Sequence, residues 1–173
     1  AWNISTATSF QVFSVANEDV APRGIFFKPD GKKMYVIGIG GVDVNEYDLS
    51  SAWSVSTASF TRRFSVSGQE SAPRGIFFKP DGKKMYVGGE NSGINEYNLS
   101  TPWNIATASF VQVFASIGDD SFPEGISFKP DGTKMYILGA DNTEVGEYNL
   151  TTPWDVSSAS SQLRTFGVGG APQ

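Results

Sequence analysis

The sequence predicts an all-β chain: a β-propeller array of four-stranded antiparallel blades, three blades per chain. Three observations predict it. The string FKPDGKKMYV stands at 27–36 and at 78–87, and returns as FKPDGTKMYI at 128–137. Trp2, Trp53, Trp103 and Trp154 recur every 50 or 51 residues. No segment carries apolar residues at the three-and-four spacing of a helix. A period near 50 without a helical pattern is that of propeller blades. A sandwich could use the same strands but would not write them three times.

Within each unit the first strand is GIFFK (24–28), repeated at 75–79 and 125–129. Lys28-Pro29-Asp30-Gly31 follows as a tight turn. Proline presets φ at the second turn position, aspartate suits the third, and glycine supplies the left-handed residue after it. The second strand is KMYVI (33–37). The third is VNEYDL (44–49), repeated at 94–99 and 145–150. The fourth is the Phe-rich run at 60–66 and 110–117, with further candidates at 10–15 and 163–168. The expected organisation over 1–173 is a single array: an outer strand at 8–16, then blades at about 22–67, 73–118 and 123–168.

Strand alternation sends Ile25 and Phe27 to one face of the blade and Phe26 to the other, with Met34 and Val36 likewise opposing Tyr35. Both faces are apolar because a blade is packed between two neighbours. In the third unit Ser127 replaces Phe26, so one face there gives up packing, as at a junction.

Composition narrows the chemistry. The net charge is −5, and no basic stripe is present, which argues against a nucleic-acid partner. No apolar run approaches the ~20 residues that cross a membrane as a helix, so no membrane partner is expected. The chain has no Cys and no His. Thiolate chemistry, disulfides and the commonest general base and zinc ligand are therefore absent. No cofactor and no metal are expected, and catalysis, if any, would rest on Asp, Glu, Lys, Tyr, Ser or Arg.

PRGIFFKPDGKKMYV, at 22–36 and 73–87, resembles the blade start PxGIAFSPDGKKLYV of the YVTN and NHL-like β-propeller repeat families, and EYNLSTPW (96–103) is similar to propeller repeats of bacterial and phage-associated proteins of unknown function. The resemblance spans the chain. It implies the propeller fold, and it implies a function among those such propellers serve: binding scaffold, lactonase or other enzyme.

Three blades do not close a circle; at ~60° each they make half of a six-bladed ring, which a homodimer would complete. The other expectation is that the chain is cut from a longer array, since it starts inside a Trp loop and ends GGAPQ, where APRG would open another blade. In the dimer, 10–15 and the partner's 163–168 claim one outer-strand position; Phe10, Val12, Phe13 and Val15 are the more apolar set, so the expectation is that the N-terminal strand takes it or that both compete.

The loops on one face carry Glu18, Asp19, Glu70, Asp119 and Asp120, then Asp43, Glu90, Asn91, Asp141, Asn142 and Glu144. They read as an acidic mouth for cations or a polar small molecule, or as solvated loop charge. Arg23, Arg74 and Glu124 share one position before the repeated glycine. They read as an anion clamp at a channel mouth, or as an Arg–Glu contact between blades. Glu46, Glu96 and Glu147 recur in every blade, as structural groups do, and pair in expectation with Lys33, Lys84 and Lys134. Trp53, Trp103 and Trp154 read as packing residues, with sugar stacking as the other reading.

The leading expectation is a binding or scaffold module that closes its ring by homo-oligomerisation around an unknown protein or polar ligand. The alternatives are a lactonase-type hydrolase using channel carboxylates, and a structural component of a secreted or virion assembly. Localisation stays open, with an extracellular or virion-associated setting as one reading.

Overall fold

A computed structural model describes residues 10–91, 93–115, 123–139 and 144–160, and the backbone of 164–167. Three four-stranded antiparallel sheets follow one another along the chain, each meandering in sequence order. The first holds β1 (Pro22–Phe27), β2 (Lys33–Gly38), β3 (Asp43–Leu49) and β4 (Ala58–Ser65). The second holds β5 (Pro73–Phe78), β6 (Lys84–Gly89), β7 (Gly93–Leu99) and β8 (Ala108–Phe114). The third holds β9 (Pro123–Phe128), β10 (Lys134–Gly139), β11 (Glu144–Asn149) and β12 (Arg164–Gly167). Among the described residues there is no α-helix; short 3-10 turns, such as Val55–Thr57 and Ile105–Thr107, precede the outer strands.

The repeated decapeptide forms the inner hairpin. Gly31 N–H donates to Lys28 O at 2.8 Å, and Asp30 Oδ1 accepts from Lys32 N–H at 2.9 Å. Gly31 has φ +70°, a conformation that favours glycine. Its position is fixed a second time by Trp53, whose N–H donates to Gly31 O at 2.9 Å and whose indole lies where a Cβ would stand. Gly82 with Trp103, and Gly132 with Trp154, repeat both features. The three tryptophans themselves adopt φ of 64–66°.

Each sheet has a forward face, toward the next sheet, and a rear face, toward the preceding one. Tyr35, Ile37 and Val44 on the forward face of the first sheet share a buried cluster with Ile76, Phe78, Met85, Val87, Tyr97 and Leu99 on the rear face of the second. Tyr86 and Ile94 meet Phe128, Met135, Ile137 and Tyr148 in the same way between the second and third. Most of these side chains are fully buried, each stabilising by about 1.5–3 kcal/mol.

The expected outer strand at 8–16 is not a strand over its described part: no β-ladder includes 10–15, which lie instead across the rear face of the first sheet. The reason is that no three inner strands stand beside them to supply a ladder. The outer strands also start two residues before expectation, at Ala58 and Ala108, because a register shift opposite Glu46/Tyr47 and Glu96/Tyr97 lets pairing continue past the irregularity.

Candidate functional site

β1, β5 and β9 neighbour one another in turn, and their glycines set how closely. A Cβ at Gly24 would fall 2.5 Å from the Arg74 carbonyl oxygen, and one at Gly75 would fall 3.1 Å from that of Glu124. This close approach aligns the residues just before the glycines. Arg74 forms ion pairs with Glu124 of the third sheet and with Glu90 of its own. Arg74 thus makes an Arg–Glu contact from one sheet to the next. Arg23 differs: it is exposed, with no ion pair among the described residues, because Ile39 stands where the second sheet has Glu90. It lines a cleft of about 430 Å³ on the rear face of the first sheet, with Gln11, Phe13, Ile25, Met34 and Val36.

Asp43 is buried and accepts from Asn45 Nδ2 at 2.7 Å, with Arg63 at 3.7 Å. Burial pushes its carboxyl above the ordinary carboxylate value, against the pull of those two partners. Asp43 begins β3 of the first sheet and Glu90 follows β6 of the second, so the two stand on different sheets. Asp141, Asp119, Asp120 and Asn142 lie outside the described residues. Asp19 and Glu70 do not point into a mouth. Asp19 Oδ1 accepts from Ala21 N–H at 2.7 Å and Gly40 N–H at 3.2 Å; Glu70 accepts from Ala72 N–H at 2.8 Å and Asn91 N–H. Each folds a loop onto itself. Among the described residues no group of three or more acidic side chains could hold a metal ion.

Two of the recurring glutamates tie sheets together. Glu46 is fully buried, takes Lys33 Nζ at 2.5 Å, and accepts from Ile105 N–H of the next sheet at 3.2 Å. Glu96 pairs with Lys84 and accepts from Val156 N–H at 3.1 Å. Glu147 pairs with Lys134. Burial pushes Lys33 down, but the Asp48 and Glu46 carboxylates outweigh it and its pKa ends above the ordinary value.

Tyr35 and Tyr86 escaped sequence reasoning as linkers between sheets. Tyr35 OH donates to Trp103 O, and Tyr86 OH to Trp154 O, both at 2.7 Å. Their signal was present in the alternation of KMYV, since Tyr35 opposes Met34 and so faces the next unit. Phe26 stacks on Trp103, and Phe77 on Trp154. Trp103 and Trp154 are 9% and 8% exposed, whereas Trp53, with no preceding sheet, is 59% exposed.

No protein-family model matches the chain, and no curated protein matches it. Solved structures do. A 6-phosphogluconolactonase-like protein of Bacteroides uniformis superposes with TM-score 0.62 at 18% identity, over 85% of this chain and 40% of its own. Its counterpart from Bacteroides fragilis gives TM-score 0.59 at 16% identity, over 85% and 39%. Hydrazine synthase of Kuenenia stuttgartiensis gives 0.58 at 18%, over 94% and 40%. At such identity the likeness shows a propeller-like fold alone. The chain spans about 40% of the length of the structures it matches.

Proposed function

We propose that the chain is a propeller binding scaffold that closes its ring by docking head to tail with a second copy, giving six blades around a shared axis. One observation carries this reading: the two end faces of the array are the same repeat surfaces that already meet at the two internal interfaces. The forward face of the third sheet offers Tyr136, Leu138 and Val145 at the positions of Tyr35, Ile37 and Val44. The rear face of the first has Met34, Val36, Tyr47 and Leu49 at the positions of Met85, Val87, Tyr97 and Leu99, with residues 10–15 packed over part of it, and it is open at Trp53, Ile25 and the cleft beside Arg23.

Finer features agree. By repetition, Tyr136 OH donates to Trp53 O of the partner and Phe27 with Trp53 receives the forward face at Ser127. Glu124 meets the unpaired Arg23 of the partner, opposite charge to opposite charge. Gly125 supports the same docking: a Cβ there would meet only its own Leu138, at 3.4 Å, so nothing within the described chain requires glycine. The carbonyl of the partner's Arg23 would supply the crowding that Arg74 and Glu124 supply at Gly24 and Gly75. The scaffold reading follows from the even use of each repeated side chain in holding blades together, which leaves the loops to bind.

The test is a charge exchange. Arg23→Glu and Glu124→Arg each place like charges at the interface and should weaken self-association at least about tenfold. Mixed together, the two variants regain opposite charges at both interfaces and should associate more tightly than either alone, though below the unmodified chain because Glu124→Arg also loses its own Arg74 as partner. Unweakened association of the single variants, or no recovery in the mixture, contradicts the reading.

A lactonase-type hydrolase is the second reading, favoured by the two 6-phosphogluconolactonase-like neighbours and by Arg23 and Arg74 as anion-binding groups at one rim. Hydrolysis of 6-phosphogluconolactone by the assembled protein, lost on Arg74→Ala with assembly intact, would establish it. A structural role in a secreted or virion assembly predicts oligomers larger than the pair.

A further inference from the structure

Residues 10–19 make with the first sheet a set of contacts that an outer strand and its following loop make with the next sheet. Gln11 Oε1 accepts from Ser54 Oγ at 2.9 Å and Ser56 Oγ at 3.0 Å; the corresponding pairs are Arg62 with Asn104 at 2.5 Å and Gln112 with Asp155 at 2.7 Å. Phe13 meets Tyr47 edge to face at 5.6 Å, as Phe64 meets Tyr97 at 5.7 Å and Phe114 meets Tyr148 at 5.1 Å. Tyr47 OH donates to Glu18 as Tyr97 OH does to Gln69, both at 3.3 Å. The amides of Glu18 and Asp19 donate to Val15 O, and those of Gln69 and Glu70 to Val66 O. What 10–15 lack is a ladder, and Phe10 and Val12 are 87% and 77% exposed.

β12 has the ladder that 10–15 lack: it pairs with β11 from Glu144↔Gly167 to Glu147↔Arg164, as Ser65 to Arg62 pair with Asp43 to Glu46. In the closed ring of the preceding section, on which this inference rests, the partner's β12 and residues 10–15 fall in one place. We propose that the two copies exchange strands: residues 10–15 of each copy become the outer strand of the partner's third blade, and 164–167 yield.

Two observations decide for the N-terminal strand. Its side-chain contacts with the first sheet are already made: Glu18, which continues from it, accepts from Tyr47 OH, and Asp19 folds the loop at Gly40 that leads into β3. The stretch 168–173, VGGAPQ, carries no acidic residue to replace them. The repeat register then sets Gln11, Val12, Phe13 and Ser14 opposite the partner's Glu147, Gly146, Val145 and Glu144, as Arg62, Arg63, Phe64 and Ser65 stand opposite Glu46, Asn45, Val44 and Asp43. Closure of the ring thus runs through main-chain hydrogen bonds between copies as well as side-chain packing.

The chain has no cysteine, so paired cysteines report the register directly. Two double variants at exposed or strand-end positions are oxidised and run on non-reducing gels beside a light-scattering mass. Ser14→Cys with Glu144→Cys links one copy to the other if strands exchange, because within one chain those positions stand on sheets separated by the second sheet. Glu144→Cys with Gly167→Cys links within one chain if β12 stays. The proposal expects a covalent dimer from the first variant and little product from the second. Intrachain linkage in the second with none in the first, at the mass of a pair, overturns exchange and leaves the ring standing. The mass of a single chain overturns the ring and the exchange with it.

Discussion

Trp103 and Trp53 occupy one repeat position, share φ near 64° and make the same N–H bond to a turn glycine, yet one is buried and the other open. The difference is entirely in what stands in front. Trp103 has Phe26 stacked on it and Tyr35 bonded to its carbonyl; Trp53 has only Phe27 of its own sheet. A blade is therefore self-sufficient in its hairpin geometry and dependent on its neighbour for the cover of its tryptophan.

The largest expected break in this comparison is truncation of the indole. Trp103→Ala should cost about 3–5 kcal/mol, as large aromatic core truncations do. Trp53→Ala should cost under about 1.5 kcal/mol in dilute protein, where its face is open, but should weaken self-association. Urea unfolding and light scattering on both variants separate the effects; equal unfolding losses in dilute protein would remove the distinction.

The glycines come next. Gly24→Ala drives a methyl toward the Arg74 carbonyl and should cost about 1–3 kcal/mol. Gly125→Ala should leave the thermal midpoint of dilute protein nearly unchanged, and impair association. A smaller effect belongs to the hydroxyls: Tyr86→Phe leaves a buried carbonyl of Trp154 without its donor, at about 1–2 kcal/mol. Tyr136→Phe should be silent until copies associate, which differential scanning at two concentrations would reveal.

The smallest effect is that of pH through the neutral range. Burial pushes the hydroxyls of Tyr35, Tyr47, Tyr86 and Tyr97 up from 10.0. A raised folded pKa contributes stability that is full below the ordinary value and is lost as pH climbs above it. Hydrogen bonds with Lys28 lower Asp30, and those with Ser157 lower Asp155, each from 3.8, contributions lost as pH falls below that value. The melting temperature should be flat from about pH 5 to pH 9 and fall on both sides. The greater part of the tyrosinate absorbance at ~295 nm, that of these four, should appear with unfolding above pH 10; full tyrosinate absorbance in still-folded protein would contradict the burial.

Fold and site were not equally legible in the sequence. PDG between two apolar runs fixes a hairpin wherever it occurs, and three copies fix the array, because the turn and the alternation are local properties. The ion pairs of Lys33 with Glu46 and of Lys84 with Glu96 were legible for the same reason, since register follows from the hairpin. What alternation could not show is which sheet a side chain meets next. Glu46 reads as half of a cross-strand pair, and its bond to Ile105 N–H, 59 residues away, depends on how blades stack. Asp19 and Glu70 read as solvated acids, since nothing in a loop sequence marks a carboxylate that folds back on its own amides. Residues 10–15 carry a strand pattern, yet a strand needs a neighbour, and none stands beside them.

Static light scattering on the purified chain at micromolar concentration tests the central claim most directly. Complementary open faces predict a mass twice the 18.6 kDa of the chain. A uniform 18.6 kDa species over that range would contradict it.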